Sequence, residues 1–274
     1  MCSSDLLTIP PIKKLALKYN LPVFQPEKIK SDYQEVLNWR PDIIITCAYG
    51  QIIPKVLLDY PNYQAINVHA SLLPKYRGGA PIHRAIMDGC QFTGITIMYM
   101  DEKLDEGDII SQEKVPIDYQ DNVETLHDKL SLTGAKLLIN TLPSIFNKTN
   151  KKIKQNHNEG TYAYNIKPED ELIDWSKEGY QIYNHIRGLS PWPGAYTLLN
   201  NKRIKIYRSE IVKEIKKGTF GEITRIEKEG IIVKTGNDMG IKLLDIKLEG
   251  RKLQEVKEVL NGKHPFIVGQ KFSS

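Results

Sequence analysis

The chain has 274 residues, of which 41% are apolar and 26% are charged. That composition is typical of a globular protein with room for two domains. No apolar run approaches the ~20 residues of a membrane-spanning helix, and the first residues lack the basic head and apolar core of a signal peptide. The three scattered cysteines (Cys2, Cys47 and Cys90) predict free thiols in a reducing compartment and no zinc motif. We therefore expect a cytoplasmic protein.

The net charge of +5 is unevenly distributed along the chain. Residues 201–274 carry 17 basic and 10 acidic side chains, whereas residues 1–200 carry 21 basic and 23 acidic ones. A basic C-terminal module on a near-neutral body indicates an anionic macromolecular partner. A solvated lysine-rich surface explains the charge equally well.

The first half of the chain alternates between helical and extended patterns. The predicted helices span 12–19, 32–39, 54–59, 81–87 and 123–146, and the predicted strands span 23–25, 43–48, 65–68, 93–100 and 108–117. Such alternation with short connections predicts a doubly wound, mostly parallel α/β sheet. The segment 43–48 has no polar face, which is typical of a strand that is covered on both sides. Asn122 is the predicted cap of the last helix, and Pro143 predicts a kink or its end.

The second half begins with a change in composition. Residues 147–160 are rich in Lys and Asn and predict a linker or a mobile loop, and a bridging segment with a helix at 180–187 follows. From residue 202 apolar residues alternate with polar ones in short segments at 203–207, 221–226, 230–235 and 241–248, and a short helix follows at 256–260. This pattern predicts a small antiparallel barrel. The predicted units are therefore 1–146, 147–200 and 201–274.

A polar, turn-rich loop at 67–81 follows the strand at 65–68. Asn67 and His69 are two residues apart, so both point to one face of a strand. An amide donor beside a titratable imidazole suits an oxygen that becomes negative during a reaction. A lone Asn-x-His pair is more often structural, but Asp105 follows the next predicted strand. The carboxyl ends of neighbouring strands share one edge, so the three side chains can meet there.

The run INVHASLLPKYRGGAPIHRAI, followed by TGITIMYMDEKLDEGDII, resembles the signature of the methionyl-tRNA formyltransferase family. That family belongs to the larger group of enzymes that use 10-formyltetrahydrofolate. The likeness extends through PDIIITCAYGQIIPK upstream and IYNHIRGLSPWPGAYT downstream, and covers nearly everything from Thr8 onwards. By this resemblance the catalytic residues are Asn67, His69 and Asp105. The folate-binding segment that it implies comprises Ser71, Leu72, Leu73 and Pro74.

The resemblance implies transfer of a formyl group from 10-formyltetrahydrofolate to the α-amine of initiator methionyl-tRNA. It implies a C-terminal barrel similar to an OB-fold that contacts the tRNA. The alternation of apolar and polar residues at 203–207 predicts that Arg203 and Lys205 lie on the outer surface of this barrel, within reach of phosphates. We further expect a monomer with no metal and no membrane association. Two alternatives stay open: formylation of another amine, such as a sugar amine or a purine precursor, or a catalytically impaired fragment that binds folate or tRNA.

In the chemistry implied, Asn67 and a protonated His69 donate hydrogen bonds to the oxyanion of the formyl group. Asp105 orients His69 and accepts the proton of the amine through a water molecule. Arg77 has two interpretations, a contact to an anionic ligand or a salt-bridged anchor of its loop.

The family pattern enters this chain at the helix near Pro11, because the strands that open the family's sheet have no counterpart ahead of Thr8. The segment 42–48 then lacks its usual neighbour. Either the segment 23–25 pairs with it, or it stays an open edge. Three residues are too few to cover it, so we expect an open apolar edge that is prone to aggregation.

Overall fold

A computed structural model describes residues 9–273, so Cys2 and the head at 1–6 lie outside the described residues. The helices are α1 (Pro11–Lys18), α2 (Gln34–Asn38), α3 (Lys55–Asp59), α4 (Pro81–Met87), α5 (Val123–Phe146), α6 (Gly179–Gly188) and α7 (Val256–Leu260). The strands of the N-terminal half are β1 (Ile44–Cys47), β2 (Ala65–His69), β3 (Phe92–Tyr99) and β4 (Ile109–Pro116). Those of the C-terminal half are β5 (Ala195–Leu199), β6 (Lys202–Lys213), β7 (Ile223–Glu227), β8 (Gly230–Lys234), β9 (Met239–Leu248) and β10 (Leu253–Glu255).

The N-terminal half is an α/β unit, as the sequence predicts, around a sheet of order β1-β2-β3-β4. The sheet is mixed, because β1 and β2 are parallel whereas β3 is antiparallel to both of its neighbours. The expectation of a mostly parallel sheet therefore does not hold for the described strands. The reason lies in β3, which is buried along nearly its whole length. A continuous apolar run is typical of a parallel strand. A buried antiparallel strand such as β3 has the same kind of run, so the run does not indicate the direction of the strand.

The strand β1 is an edge of this sheet. Among residues 9–273 it pairs with β2 alone, and the predicted strand at 23–25 is not formed. The expectation of an open edge is confirmed, whereas the expectation that this strand is covered on both sides is wrong. Ile45 is 40% exposed and Cys47 is exposed as well, so the face of β1 on which these two side chains lie is not covered. Apolar residues on an unpaired edge invite pairing with another chain.

Helices α4 and α5 cover one face of the sheet. Ile95 and Ile97 of β3 pack there against Leu126 and Leu130 of α5, in a cluster of buried apolar residues. Asn122 caps α5 as predicted, because its side chain accepts a hydrogen bond from the Thr125 amide. Pro143 does not end the helix, which continues to Phe146. The opposite face of the sheet carries a much smaller apolar cluster, and the polar residues described below lie on that face.

The C-terminal half is an antiparallel sheet of order β5-β6-β9-β8-β7, with β10 paired to β9. The end of the chain joins the two outer strands, because Ser273 bridges to Leu198 of β5 and Lys271 bridges to Glu222 beside β7. These bridges close the sheet into a small barrel. Helix α6 packs Ile182 and Ile186 into the apolar core of the barrel.

The predicted division of the chain at residues 146 and 200 stays a prediction. The first strand of the C-terminal sheet, β5, lies within the predicted bridging segment. In the part of the chain from residue 9 to residue 273, no helix is both long and apolar enough to cross a membrane.

Candidate active site

Strand β2 carries Asn67 and His69 on one face and Ile66 and Val68 on the other. The two apolar residues contact the cluster under α4 and α5, which directs the polar pair to the opposite face. His69 is 5% exposed and Asn67 is half-buried. The alternation of apolar and polar residues along this strand therefore decides where the polar pair lies.

Asp105 lies in the loop between β3 and β4 and reaches both of these side chains. Its Oδ1 accepts a hydrogen bond from Nδ2 of Asn67 at 3.4 Å. Its Oδ2 lies 3.7 Å from Nδ1 of His69 and accepts a hydrogen bond from the Gly78 amide at 2.8 Å. The three side chains that the sequence singles out thus meet at one place, around a carboxylate that is 12% exposed.

Tyr76 fixes the protonation of one His69 nitrogen. The backbone carbonyl of Tyr76 lies 2.9 Å from Nε2 of His69, and a carbonyl only accepts hydrogen bonds, so Nε2 carries a proton. Nδ1, which faces Asp105, carries a second proton only in the imidazolium form. Burial raises the pKa of the Tyr76 phenol well above its ordinary value, and hydrogen bonds with Cys90 and Asp88 add to the effect. The phenol stays protonated and holds its loop in place.

Thr46 is a site residue that sequence reasoning missed. Its hydroxyl on β1 donates to Oδ1 of Asn67 at 2.9 Å. Because a hydroxyl donates only to the oxygen of an amide, this bond fixes the orientation of the Asn67 side chain and turns Nδ2 towards Asp105. A single threonine in an apolar strand gives no sequence signal for such a role.

The segment from Ser71 to Pro74 begins two residues after His69, and several of its polar groups form hydrogen bonds within the protein. The Ser71 hydroxyl donates to the Lys75 carbonyl at 2.6 Å, and the Leu73 amide donates to the Thr96 hydroxyl at 3.1 Å. Ser71 and Leu73 are buried, whereas Leu72 and Pro74 are half-buried. The assignment of this segment to folate stays a prediction, and its partly open side chains are those of Leu72 and Pro74.

Arg77 anchors its loop within the protein. Its side chain is 2% exposed, its Nη1 lies 3.3 Å from Glu106, and Nε and Nη2 donate to Oε1 of Gln155 at 3.2 and 2.8 Å. Of the two interpretations from the sequence, these contacts support the anchor. Desolvation acts to raise the pKa of Glu106, but the hydrogen bond from Tyr162 and the nearby positive charges, Arg77 among them, outweigh it and lower that pKa.

Gln155 is the second residue that sequence reasoning missed. It belongs to the segment 147–160, which the sequence predicts as a linker or mobile loop, yet it is 5% exposed. The same segment forms a bridge between Ile153 and Ile109 of β4. This part of the chain therefore packs against the loop that carries Asp105. A lone glutamine among lysines and asparagines has no periodic pattern that could have indicated this position.

A cleft of 720 Å³ opens beside the same loop. Its lining includes Lys103, Glu106, Lys152 and Lys154, with charges of both signs, but none of the three predicted catalytic residues. Among residues 9–273 no group of three or more His, Cys, Asp or Glu side chains could hold a metal ion. The polar site itself offers an amide donor, an imidazole and a carboxylate, which together suit acyl transfer to an amine.

Two family models match the chain. The model described as formyl transferase matches residues 10–142, and the model of the formyl transferase C-terminal domain matches residues 165–264. Methionyl-tRNA formyltransferase from Staphylococcus aureus (strain Newman) is 50% identical over 268 residues, which span 97% of this chain and 86% of that protein. The enzyme of the same name from Staphylococcus epidermidis is 51% identical over 267 residues, with the same two coverages.

Solved structures share the fold at lower identity. Methionyl-tRNA formyltransferase from Clostridium thermocellum superposes with a TM-score of 0.58 at 20% identity, covering 86% of this chain and 91% of that one. HypX from Aquifex aeolicus, solved with tetrahydrofolic acid, has a TM-score of 0.65 at 17% identity and covers 83% of this chain and 40% of that one. With half of the residues shared with the staphylococcal enzymes over nearly its whole length, the chain belongs to the methionyl-tRNA formyltransferase family.

Proposed function

We propose that the chain transfers a formyl group from 10-formyltetrahydrofolate to the α-amine of initiator methionyl-tRNA, with Asn67, His69 and Asp105 as its catalytic residues. The observation that carries the proposal is the meeting of these side chains, with Nδ2 of Asn67 and Nδ1 of His69 at 3.4 and 3.7 Å from the Asp105 carboxylate. The 50% identity to curated methionyl-tRNA formyltransferases supports the choice of acceptor.

The reaction joins the amine nitrogen to the formyl carbon and breaks the bond between that carbon and N10 of the folate. An α-amine has a pKa of about 7.7–8.0, so a useful fraction is neutral near pH 7 and no covalent enzyme intermediate is required. Charge develops on the formyl oxygen, and Nδ2 of Asn67 is the donor that stabilises it. The bond from Thr46 to Oδ1 keeps that donor turned towards the site.

Asp105 is the base for the amine proton, directly or through a water molecule, and the proton passes on to N10 as the leaving nitrogen departs. His69 assists in this transfer. In its imidazolium form Nδ1–H faces Asp105, and the added positive charge next to the site stabilises the oxyanion. Nε2 stays engaged with Tyr76, so the ring keeps its orientation when its charge changes.

The folate occupies the side of the sheet where Ser71–Pro74 follows β2. Leu72 and Pro74 are the half-buried side chains of that segment and supply apolar contact to the donor, whereas Ser71 and Leu73 support the loop from inside. No metal takes part in the proposed transfer.

The barrel binds the tRNA mainly through phosphates. Residues 201–274 carry 17 basic and 10 acidic side chains, and this excess supports electrostatic binding of a polyanion. Arg203 is exposed, with its guanidinium 4.1 Å from the centre of the Tyr196 ring, and it is free to meet a phosphate. Lys205 is half-buried and donates to the Pro193 carbonyl and to Glu171, so it contributes less.

The test is an incubation of the chain with 10-formyltetrahydrofolate and one of three acceptors: methionyl-tRNA, uncharged tRNA or an amino sugar nucleotide. We expect formyl-methionine in the first reaction alone. Formylation of the amino sugar at a rate comparable to that of methionyl-tRNA would contradict the choice of acceptor. Transfer to none of the three acceptors would overturn the proposed function.

A further inference from the structure

Gln155 uses the whole hydrogen-bonding capacity of its side chain at the edge of the active site. Its Nε2 donates to the backbone carbonyls of Asp105 and Gly107, both at 2.8 Å. Its Oε1 accepts from Nε and Nη2 of Arg77 at 3.2 and 2.8 Å. A buried side-chain amide that makes four hydrogen bonds to three residues holds those residues at fixed distances from one another.

These bonds join the two loops that form the site. Arg77 belongs to the loop after β2, whose next residue, Gly78, donates its amide proton to Oδ2 of Asp105. Asp105 and Gly107 belong to the loop after β3. The two loops are therefore tied twice, once through Gln155 to the backbone and once through Gly78 to the carboxylate. Both ties end in the same loop, one at the Asp105 and Gly107 carbonyls and the other at the Asp105 carboxylate.

The loop after β3 has a backbone conformation that needs support. Asp105 has a φ of +53°, in the left-handed region that residues with a side chain rarely adopt. Gly107 lies so close to β3 that an added Cβ would come within 1.9 Å of the Tyr99 carbonyl oxygen. Such an arrangement persists when surrounding contacts restrain it, and Gln155 binds the carbonyls on both sides of Glu106.

We propose that Gln155 is a positioning residue for formyl transfer, which holds the backbone of residues 105–107 so that the Asp105 carboxylate faces Asn67 and His69. Because its side-chain amide is fully engaged within the protein, Gln155 acts through this backbone and not on the substrate. The proposal rests on the proposed role of Asp105 as the base. It makes the segment between α5 and α6 part of the active site.

The first test compares Gln155→Leu and Gln155→Glu with a control in the same segment. Leucine keeps the approximate volume and loses every hydrogen bond, and glutamate keeps the shape but replaces both donor hydrogens by an acceptor. The control is Asn158→Ala, because Asn158 is exposed. We expect kcat to fall at least ~10-fold in both Gln155 variants with little change in KM, because a displacement of about 1 Å costs up to ~10²-fold in rate. An unchanged kcat in both overturns the proposal.

The second test asks whether Gln155 acts through Asp105. In an Asp105→Asn background, Gln155→Leu is expected to add little further loss, since residues that act as a unit are not additive. Equal losses in the two backgrounds overturn the proposal. If Gln155→Leu does not fold, Gln155→Glu replaces it in this comparison. Full activity of Asp105→Asn alone would show that Asp105 is not the base, and would therefore contradict the proposed function itself.

A third readout does not depend on turnover. Amide hydrogen exchange at Gly78 reports the bond to the Asp105 carboxylate. We expect exchange there to be at least ~10-fold faster in the Gln155 variants than in the parent and in Asn158→Ala, because the tie through Gln155 that supports this bond is lost. Exchange at Gly78 that is unchanged in both Gln155 variants overturns the positioning role even if the rate of formyl transfer falls.

Discussion

Replacing Asp105 by asparagine removes one acceptor from a position where both carboxylate oxygens are in use. The shorter bond, from the Gly78 amide at 2.8 Å, favours the orientation in which the amide oxygen takes the place of Oδ2. The new NH2 group then faces Nδ2 of Asn67 at 3.4 Å, donor against donor, and no base is left for the amine proton.

Loss of a general base lowers the rate by ~10²–10⁴-fold, and the lower limit corresponds to about 2.7 kcal/mol of transition-state stabilisation. We expect kcat for formyl-methionyl-tRNA formation to fall by at least ~10²-fold in Asp105→Asn, with folate binding nearly intact. The assay is single-turnover formylation together with fluorescence titration of the folate. Asp101→Asn is the matched control, since it makes the same substitution at an exposed position of the same loop. A turnover of Asp105→Asn near the parental value would refute the assignment of Asp105 as the base.

Three further predictions concern the surroundings of the site and the barrel. Thr46→Val removes the hydroxyl that orients Asn67 through a hydrogen bond worth about 1 kcal/mol, so we expect kcat to fall up to ~10-fold. Thr46→Ser keeps the hydroxyl and is expected to restore the rate. Equal rates for the two variants would contradict this prediction. Arg203→Ala is expected to reduce the slope of log K for tRNA binding against the log of the salt concentration by up to about 0.9, and Lys205→Ala is expected to reduce it by less. A larger reduction in Lys205→Ala than in Arg203→Ala would contradict the proposed phosphate contacts. Because the pKa of Glu106 is lowered below 4.5 in the folded chain, its carboxylate stabilises the fold above pH 4.5, and this contribution is lost as the pH falls through the lowered value. The stability of Glu106→Gln, followed by urea unfolding, is therefore expected to fall less steeply in acid than that of the parent, and identical acid profiles would contradict the prediction.

The elements with clear periodic patterns could be predicted from the sequence. Helix α5 with its Asn122 cap and the strands of the barrel lie close to where their patterns indicate. Asn67 and His69 share a face because a strand alternates its side chains, which depends on spacing alone. The formyltransferase motifs identified the family from the same stretch.

What depends on tertiary contacts could not be predicted. The strand at 23–25 does not form, and β1 is an exposed edge although its composition is that of a covered strand. Thr46 and Gln155 acquire their roles from partners 21 and 50 residues away in the chain, so no local pattern marks them. The left-handed conformation of Asp105 likewise follows from the restraints on its loop.

Asn67, His69 and Asp105 are proposed to act together in formyl transfer to methionyl-tRNA. The most direct measurement is the single-turnover rate of formyl-methionyl-tRNA formation in the parent, in Asn67→Ala, in Asp105→Asn and in the double variant. Loss of the oxyanion donor is expected to cost about 2.7–4 kcal/mol, or ~10²–10³-fold in rate. We expect the parent to form product and the double variant to be hardly slower than the slower single variant. No product from the parent, or losses in the two single variants that multiply in the double variant, would contradict it.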